Sequence, residues 1–156
     1  MNRLAELESV RQWVERFGAA HELPGAALTS LLVSFDEVLS NSISHGYQDR
    51  EDHEICLSLA LEGGGVVAEV EDDGVPYDPL GAPPPQLSGG IGERSLGGLG
   101  VHFVRTLNDE VAYERRGNRN RLRFSKRVPG ASSRPLRAGA ARGTDDACSR
   151  PPASQP

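Results

Sequence analysis

The sequence has little of several things, and each shortage excludes a class of protein. Only two cysteines, Cys56 and Cys148, occur in 156 residues. One lies in an apolar, strand-like run and the other in a polar stretch. That is no disulfide framework and no metal-ligand spacing, and it fits a reducing cytoplasm. Basic residues are not in excess: the formal net charge is -5, whereas a nucleic-acid-binding domain carries a basic stripe. No stretch approaches the ~18 consecutive apolar residues of a membrane span, and the opening MNRLAELESV lacks the apolar run of a signal peptide. Internal repeats are absent as well. What is present, 37% hydrophobic and 25% charged residues, suits a soluble protein with some disordered sequence attached. The length favours one domain with a core that needs no disulfide or structural metal.

Residues 3–19 read as an amphipathic helix, because Leu4, Leu7, Val10, Val14 and Phe17 recur three or four apart. After the HELPG break, a second helix begins near Pro24 and stops near Gly46. Its apolar face holds Leu28, Leu31, Leu32, Phe35, Val38 and Leu39. EICLSLAL and GVVAEVED then alternate apolar and other residues on either side of Gly63–Gly65, which predicts a β-hairpin. Residues 74–98 are rich in proline and glycine, and an irregular stretch of that length inside a compact domain suggests a lid. A short helix, LGVHFVRTL, follows. Strands EVAYERR and RLRFSKR, joined at Gly117-Asn118, complete the domain.

Beyond Val128 the chain has no aromatic residue and almost no large apolar one. Such a segment buries too little surface to offset its conformational entropy. The expected organisation is therefore a domain over 1–128 and a disordered tail over 129–156. The order helix, helix, strand, strand, lid, helix, strand, strand predicts an α+β, two-layer sandwich, with a mostly antiparallel sheet covered on one face by helices.

Three local patterns could carry chemistry. Glu37 and Asn41 are four apart on the second helix and share one face, with His45 next along it. Such a stripe is ordinarily a solvated face. In a site, the Asn41 carbonyl suits Mg2+ shared with phosphates, and a carboxylate one turn away suits a base. Glu71-Asp72-Asp73-Gly74 ends a strand. Its residues are those of an ordinary turn, yet a carboxylate there could accept from a base amino group that Gly74 lets come close. Gly97-Gly98-Leu99-Gly100 opens a helix, and free N–H groups at a helix start bind anions. The cluster matches neither the P-loop nor the dinucleotide fingerprint, and alone it reads equally as a flexible linker.

In their order, these elements resemble the GHKL (Bergerat-fold) ATPase family. FDEVLSNSISHGY, VEDDGVPYDP and GGLGVHFVRTLNDEVAYERRGNRNRLRF look more closely like the anti-sigma-factor serine/threonine kinases of the RsbW and SpoIIAB type, over residues 3–127. The resemblance implies Glu37 as general base and Asn41 as the Mg2+ ligand. It implies Asp72 as the adenine reader, with Gly74 beside it, and Gly98, Leu99 and Gly100 around the phosphates of ATP. Asn120 stands where the family often has a threonine that holds adenine through water. The second glycine of the family's Asp-x-Gly-x-Gly box is Pro76 here. Arg94 and Arg105 are candidates to face phosphates or a partner.

The resemblance also implies partners. These are a STAS-type anti-anti-sigma protein as phosphoryl acceptor, a sigma factor, and a second copy of the chain in a homodimer. The family's strand before the first helix is expected to be absent or short here, since the chain opens at Met1-Asn2-Arg3-Leu4, and that leaves the homodimer open. The competing reading is a non-catalytic ATP-binding module that regulates a partner by sequestration. A sensor histidine kinase is disfavoured because the first helix has no histidine before His21.

Overall fold

The computed structural model describes residues 6–47, 53–81, 99–129 and 136–138. The elements are α1 (Leu7–Ala20), α2 (Gly25–His45), β1 (Cys56–Glu62), β2 (Gly65–Asp72), a 3-10 turn at Pro79–Gly81, α3 (Leu99–Leu107), β3 (Glu110–Arg116), β4 (Arg119–Arg127) and β5 (Leu136–Ala138). The five strands form one sheet in the order β3-β4-β2-β1-β5, and every neighbouring pair is antiparallel. The α+β sandwich expected from the element order is the fold observed.

The helices bury the predicted faces. In α1, Val10, Val14 and Phe17 are buried at spacings of four and three. In α2, Ala27, Leu31, Phe35 and Leu39 form one buried row four residues apart. Each large side chain taken fully out of water contributes about 1.5–3 kcal/mol, so this row outweighs the small cost of starting the helix at Pro24 without a side-chain cap. Phe35 meets Trp13 of α1 edge-on at 5.9 Å and Phe124 of β4 edge-on at 5.3 Å. One aromatic thus joins both helices to the sheet.

Period-two alternation decides the two faces of the sheet. Leu57, Leu59, Val66, Ala68, Val70 and Phe124 point toward the helices and are almost fully buried. The opposite side of β3, β4 and β2 carries a lattice of ion pairs. Arg121 bridges Glu69 at 2.7 Å and Glu114 at 3.0 Å, Arg119 meets Glu71 at 2.8 Å, and Arg123 reaches Glu62 and Glu69 at 3.3 and 3.4 Å.

Three details depart from the sequence expectations. Strand β4 starts at Arg119, two residues before RLRFSKR, because Arg119 and Asn120 pair with Arg116 and Arg115 across the hairpin. Leu136–Ala138, inside the segment read as a disordered tail, forms β5 on β1. The unpaired edge of β1 supplies the backbone donors and acceptors that a chain of any composition can use. The rest of that tail lies outside the described residues, as do residues 1–5, where a shortened first strand was expected. Cys56 is disulfide-bonded, against the reading of both cysteines as outside any disulfide framework; Cys148 lies outside the described residues.

Candidate functional site

Strand β2 ends at Asp72, and there the helix-facing side of the sheet turns from apolar to polar. Asp72 is only 6% exposed, so its oxygens need partners from the protein. Oδ1 accepts from the Gly74 backbone N–H at 2.9 Å and from Asn120 Nδ2 at 2.8 Å, and Oδ2 accepts from the Ser42 hydroxyl at 3.1 Å. The donors come from the following turn, from β4 and from α2, so three elements fix one carboxylate. Gly74 has no room for a side chain: a Cβ there would stand 2.7 Å from the Gly46 carbonyl and 2.9 Å from Asp72 Oδ1. That close approach lets the Val75 N–H donate to Gly46 O at 2.8 Å and ties the turn to the end of α2.

Asp72 forms one end of a pocket of about 260 Å³. Its walls are largely apolar, with Val38, Val70, Val101, Val104 and Leu122 among them, and Asn41, Ser42, Asp72 and Asn120 supply polar atoms. A flat, apolar-faced ring bearing an amino group suits such a slot with a buried acceptor. Tyr77 stands at the same pocket and is 52% exposed.

The other end is built by α2 and α3. Glu37 projects toward the first turn of α3, so that a Cβ on Gly100 would run into its carboxylate, with Glu37 Cδ at 2.8 Å. Glycine at position 100 therefore admits a carboxylate beside a helix N-terminus. Asn41, one turn further along α2, lines the pocket itself. Among the described residues no cluster of three or more His, Cys, Asp and Glu side chains offers a cage for a metal. Asn41, which lines the pocket, has one neutral carbonyl oxygen to offer, and that chemistry fits Mg2+, which keeps waters and shares its coordination with phosphates.

A buried polar network holds α3 in place. Asn108, just past the helix, donates from Nδ2 to Ser34 Oγ and to Val104 O, both at 2.7 Å. Ser30 donates toward Asn108 Oδ1 at 3.0 Å and the Leu107 carbonyl at 2.8 Å. Ser30, Ser34 and Asn108 are 1%, 0% and 6% exposed. The stripe Ser30, Ser34, Glu37, Asn41 thus locks the C-terminal end of α3 and then presents the carboxylate to its N-terminal end.

Asn41, Asp72 and Asn120 converge on one pocket and Gly74 forms the turn beside it, while Glu37 and Gly100 meet where α2 packs against the start of α3, next to the pocket residues Val38 and Val101. Leu99 begins α3, while Gly97, Gly98, Arg94 and the rest of residues 82–98, the greater part of the 74–98 segment expected to act as a lid, lie outside the described residues. Arg105 points to the Leu80 carbonyl at 3.5 Å, at the base of that segment. Sequence reasoning missed Ser42, Tyr113, Arg115 and the Ser30–Ser34–Asn108 network. A hairpin centred on Gly117-Asn118 already puts Arg115 opposite Asn120 and Tyr113 one pair further along the same face, so both had a usable signal; Ser42 depends on helix-to-sheet packing and the Ser30–Ser34–Asn108 network on the packing of α2 against the end of α3. Tyr47, just past α2, has a hydroxyl without a hydrogen-bond partner among the described residues. Burial raises its pKa above the ordinary tyrosine value, and the charges of Asp72 and Asp73 push it further the same way.

The chain belongs to the histidine kinase-like ATPase domain family, which matches residues 1–126. Among curated proteins it is 27% identical over 110 residues to the serine/threonine-protein kinase BtrW of Bordetella bronchiseptica, covering 70% of this chain and 78% of that one. It is 32% identical over 94 residues to the anti-sigma F factor of Clostridium novyi, covering 56% of this chain and 61% of that protein. Among solved structures, the RsbU and RsbW domains of a Mycobacterium tuberculosis protein match at a TM-score of 0.57 and 15% identity, over 81% of this chain and 30% of that one. The structural likeness concerns the fold, whereas the sequence relatives are kinases and an anti-sigma factor by name.

Proposed function

We propose that this protein is an ATP-dependent serine/threonine kinase and anti-sigma factor that phosphorylates a STAS-type anti-anti-sigma protein in a partner-switching system. The observation that carries this reading is Glu37, whose carboxylate lies beside Gly100 where α3 begins and one turn from Asn41. A site that only held nucleotide would need Asp72 and the helix N-terminus but no carboxylate there.

The roles follow from the chemistry of the groups. Asp72 accepts from the exocyclic amino group of adenine in the apolar slot. The amides at the start of α3 donate to phosphate oxygens, aided by the helix dipole. Asn41 would hold Mg2+, which when bound neutralises phosphate charge. Glu37 takes the proton of the acceptor serine or threonine hydroxyl as its oxygen bonds to the γ-phosphorus and the bond to the β-γ bridging oxygen breaks, leaving ADP. Positioning and charge neutralisation supply most of the acceleration in such transfers. A sigma factor would be the second partner, exchanged against the STAS protein, and a homodimer and a cytoplasmic setting belong to the same reading. No helix among the described residues is long and apolar enough to cross a membrane.

Glu37→Ala is expected to keep ATP affinity within about threefold, since the residue makes no base contact, and to lower phosphoryl transfer to a cognate STAS protein by on the order of 100-fold or more. Isothermal titration and phosphate incorporation read the two arms. Undiminished transfer by the variant would remove Glu37 from the mechanism, whereas a wild-type protein that binds ATP and transfers no phosphate to any STAS partner would make a nucleotide-holding regulator the better reading.

A further inference from the structure

The row that carries Asp72 does not stop there. Asp72 on β2 is the direct cross-strand partner of Asn120 on β4, and Asn120 is the partner of Arg115 on β3. Directly opposed residues share a face, so the three side chains stand side by side toward the pocket.

The Asn120 amide has a sorted environment. Nδ2 meets acceptors: Asp72 Oδ1 at 2.8 Å, Val75 O at 3.0 Å and Gly74 O at 3.4 Å. Oδ1 meets donors: Tyr113 Oη and Arg115 Nη1, both at 2.8 Å. The same guanidinium nitrogen donates to Gly74 O at 2.8 Å. Turned over, the amide would set its oxygen against a carboxylate and two carbonyls, and its NH2 against a guanidinium that has no lone pair to offer.

We propose that Tyr113 and Arg115 are positioning residues that lock the Asn120 amide and, through it, the Asp72 carboxylate, so that strand β3 helps decide which purine the site accepts. The proposal rests on the reading of Asp72 as the group that meets the base. With Oδ1 taken by Gly74 and Asn120, and Oδ2 held by Ser42, the carboxylate offers a fixed acceptor to an amino group. It offers nothing to the oxo group of guanine, and a site left with opposed acceptors rejects that ligand. A loosened carboxylate admits water, and water turns its donor toward an oxo group as readily as its acceptor toward an amino group. The lock therefore governs selectivity more than affinity.

The test uses the full chain with ADP and GDP in the presence of Mg2+, titrated calorimetrically against Tyr113→Phe, Arg115→Met and the double variant. The expected result is a wild-type preference for ADP that falls about threefold in each single variant and about tenfold in the double, chiefly by better relative binding of GDP. Arg115→Lys, which keeps a donor, is expected to restore part of the preference. A purely structural role for the pair would weaken both nucleotides in proportion and leave the ratio unchanged, and that result overturns the proposal. Should the double variant fail to fold, Tyr113→Phe, which removes one oxygen from a ring left in place, carries the same comparison. Asp72→Asn separates the two levels. If it leaves the ADP-to-GDP ratio intact, the base reading fails and the lock with it. If it collapses the ratio while the double variant preserves it, the lock alone is wrong.

Discussion

The two faces of the β3-β4-β2 ribbon use nearly the same residues to opposite ends. Outward, Arg119, Arg121 and Arg123 pair with Glu69, Glu71, Glu62 and Glu114 in a half-buried lattice whose side chains keep roughly a quarter to a half of their surface in water. Inward, Arg115, Asn120 and Asp72 form one row under the helices, and Asn120 and Asp72 are 8% and 6% exposed. The arginine-carboxylate contacts outside are shorter in places than the contacts inside, yet distance is a poor guide to importance here. Exposed ion pairs are screened and exchange with water, so they contribute about 0–1 kcal/mol each. A buried group deprived of its partner cannot turn to water and costs about 1–3 kcal/mol. Solvent access, more than residue type, separates a surface that keeps the sheet soluble from a row that shapes a site.

That contrast can be broken by substitution. The largest stability effect is expected inside the polar network of α2 and α3. Asn108→Ala strands Ser34 and the Val104 carbonyl and should lower stability by about 2 kcal/mol, seen as a drop in the denaturant midpoint. A loss as small as that of an exposed pair would mean that water reaches the network. Arg121→Ala removes two outward ion pairs at once and should cost no more than about 1 kcal/mol, a loss that shrinks further in high salt. Tyr47→Phe is expected to change least near neutral pH, because the hydroxyl it removes has no partner among the described residues. Its effect belongs to alkaline solution. The folded-state pKa of Tyr47 is raised above the unfolded value of about 10, so above that pH the unfolded chain releases a proton the folded chain retains, and stability falls. Phenylalanine has no such proton, so the variant should lose less stability between about pH 10 and 11, where melting curves can be compared directly.

The sequence was more informative about elements than about partners. Spacings of three and four in Val10, Val14 and Phe17, and alternation in Leu57 and Leu59, predict their helix and strand because local geometry alone sorts those residues. The sequence pattern begins strand β4 two residues late, since Arg119 and Asn120 carry no apolar signal and the second is polar on the buried face. Nothing in Leu136–Ala138 marks a strand; the edge of β1 makes it one. For the site, Glu37 and Asn41 share a helix face by spacing alone, and Asp72 with Gly74 is a local turn. Which groups hold Asp72 was not legible. Ser42 lies 30 residues away and Asn120 lies 48 residues away, so their approach depends on helix packing and strand register.

The strand order has a kinetic consequence. The hairpins β1–β2 and β3–β4 each close over a short turn, whereas β2 meets β4 only after the whole segment between them has been looped out. Long-range pairings are the slow steps of folding, and their entropic toll rises only by about 0.6 kcal/mol for each doubling of the loop. The Asp72–Asn120 contact therefore forms when the two halves of the sheet join, so on the proposed reading of Asp72 nucleotide binding would report completion of the fold. Lengthening or shortening the connection between β2 and β4 should alter the rate of that last step only gently, because loop-closure entropy grows slowly with length.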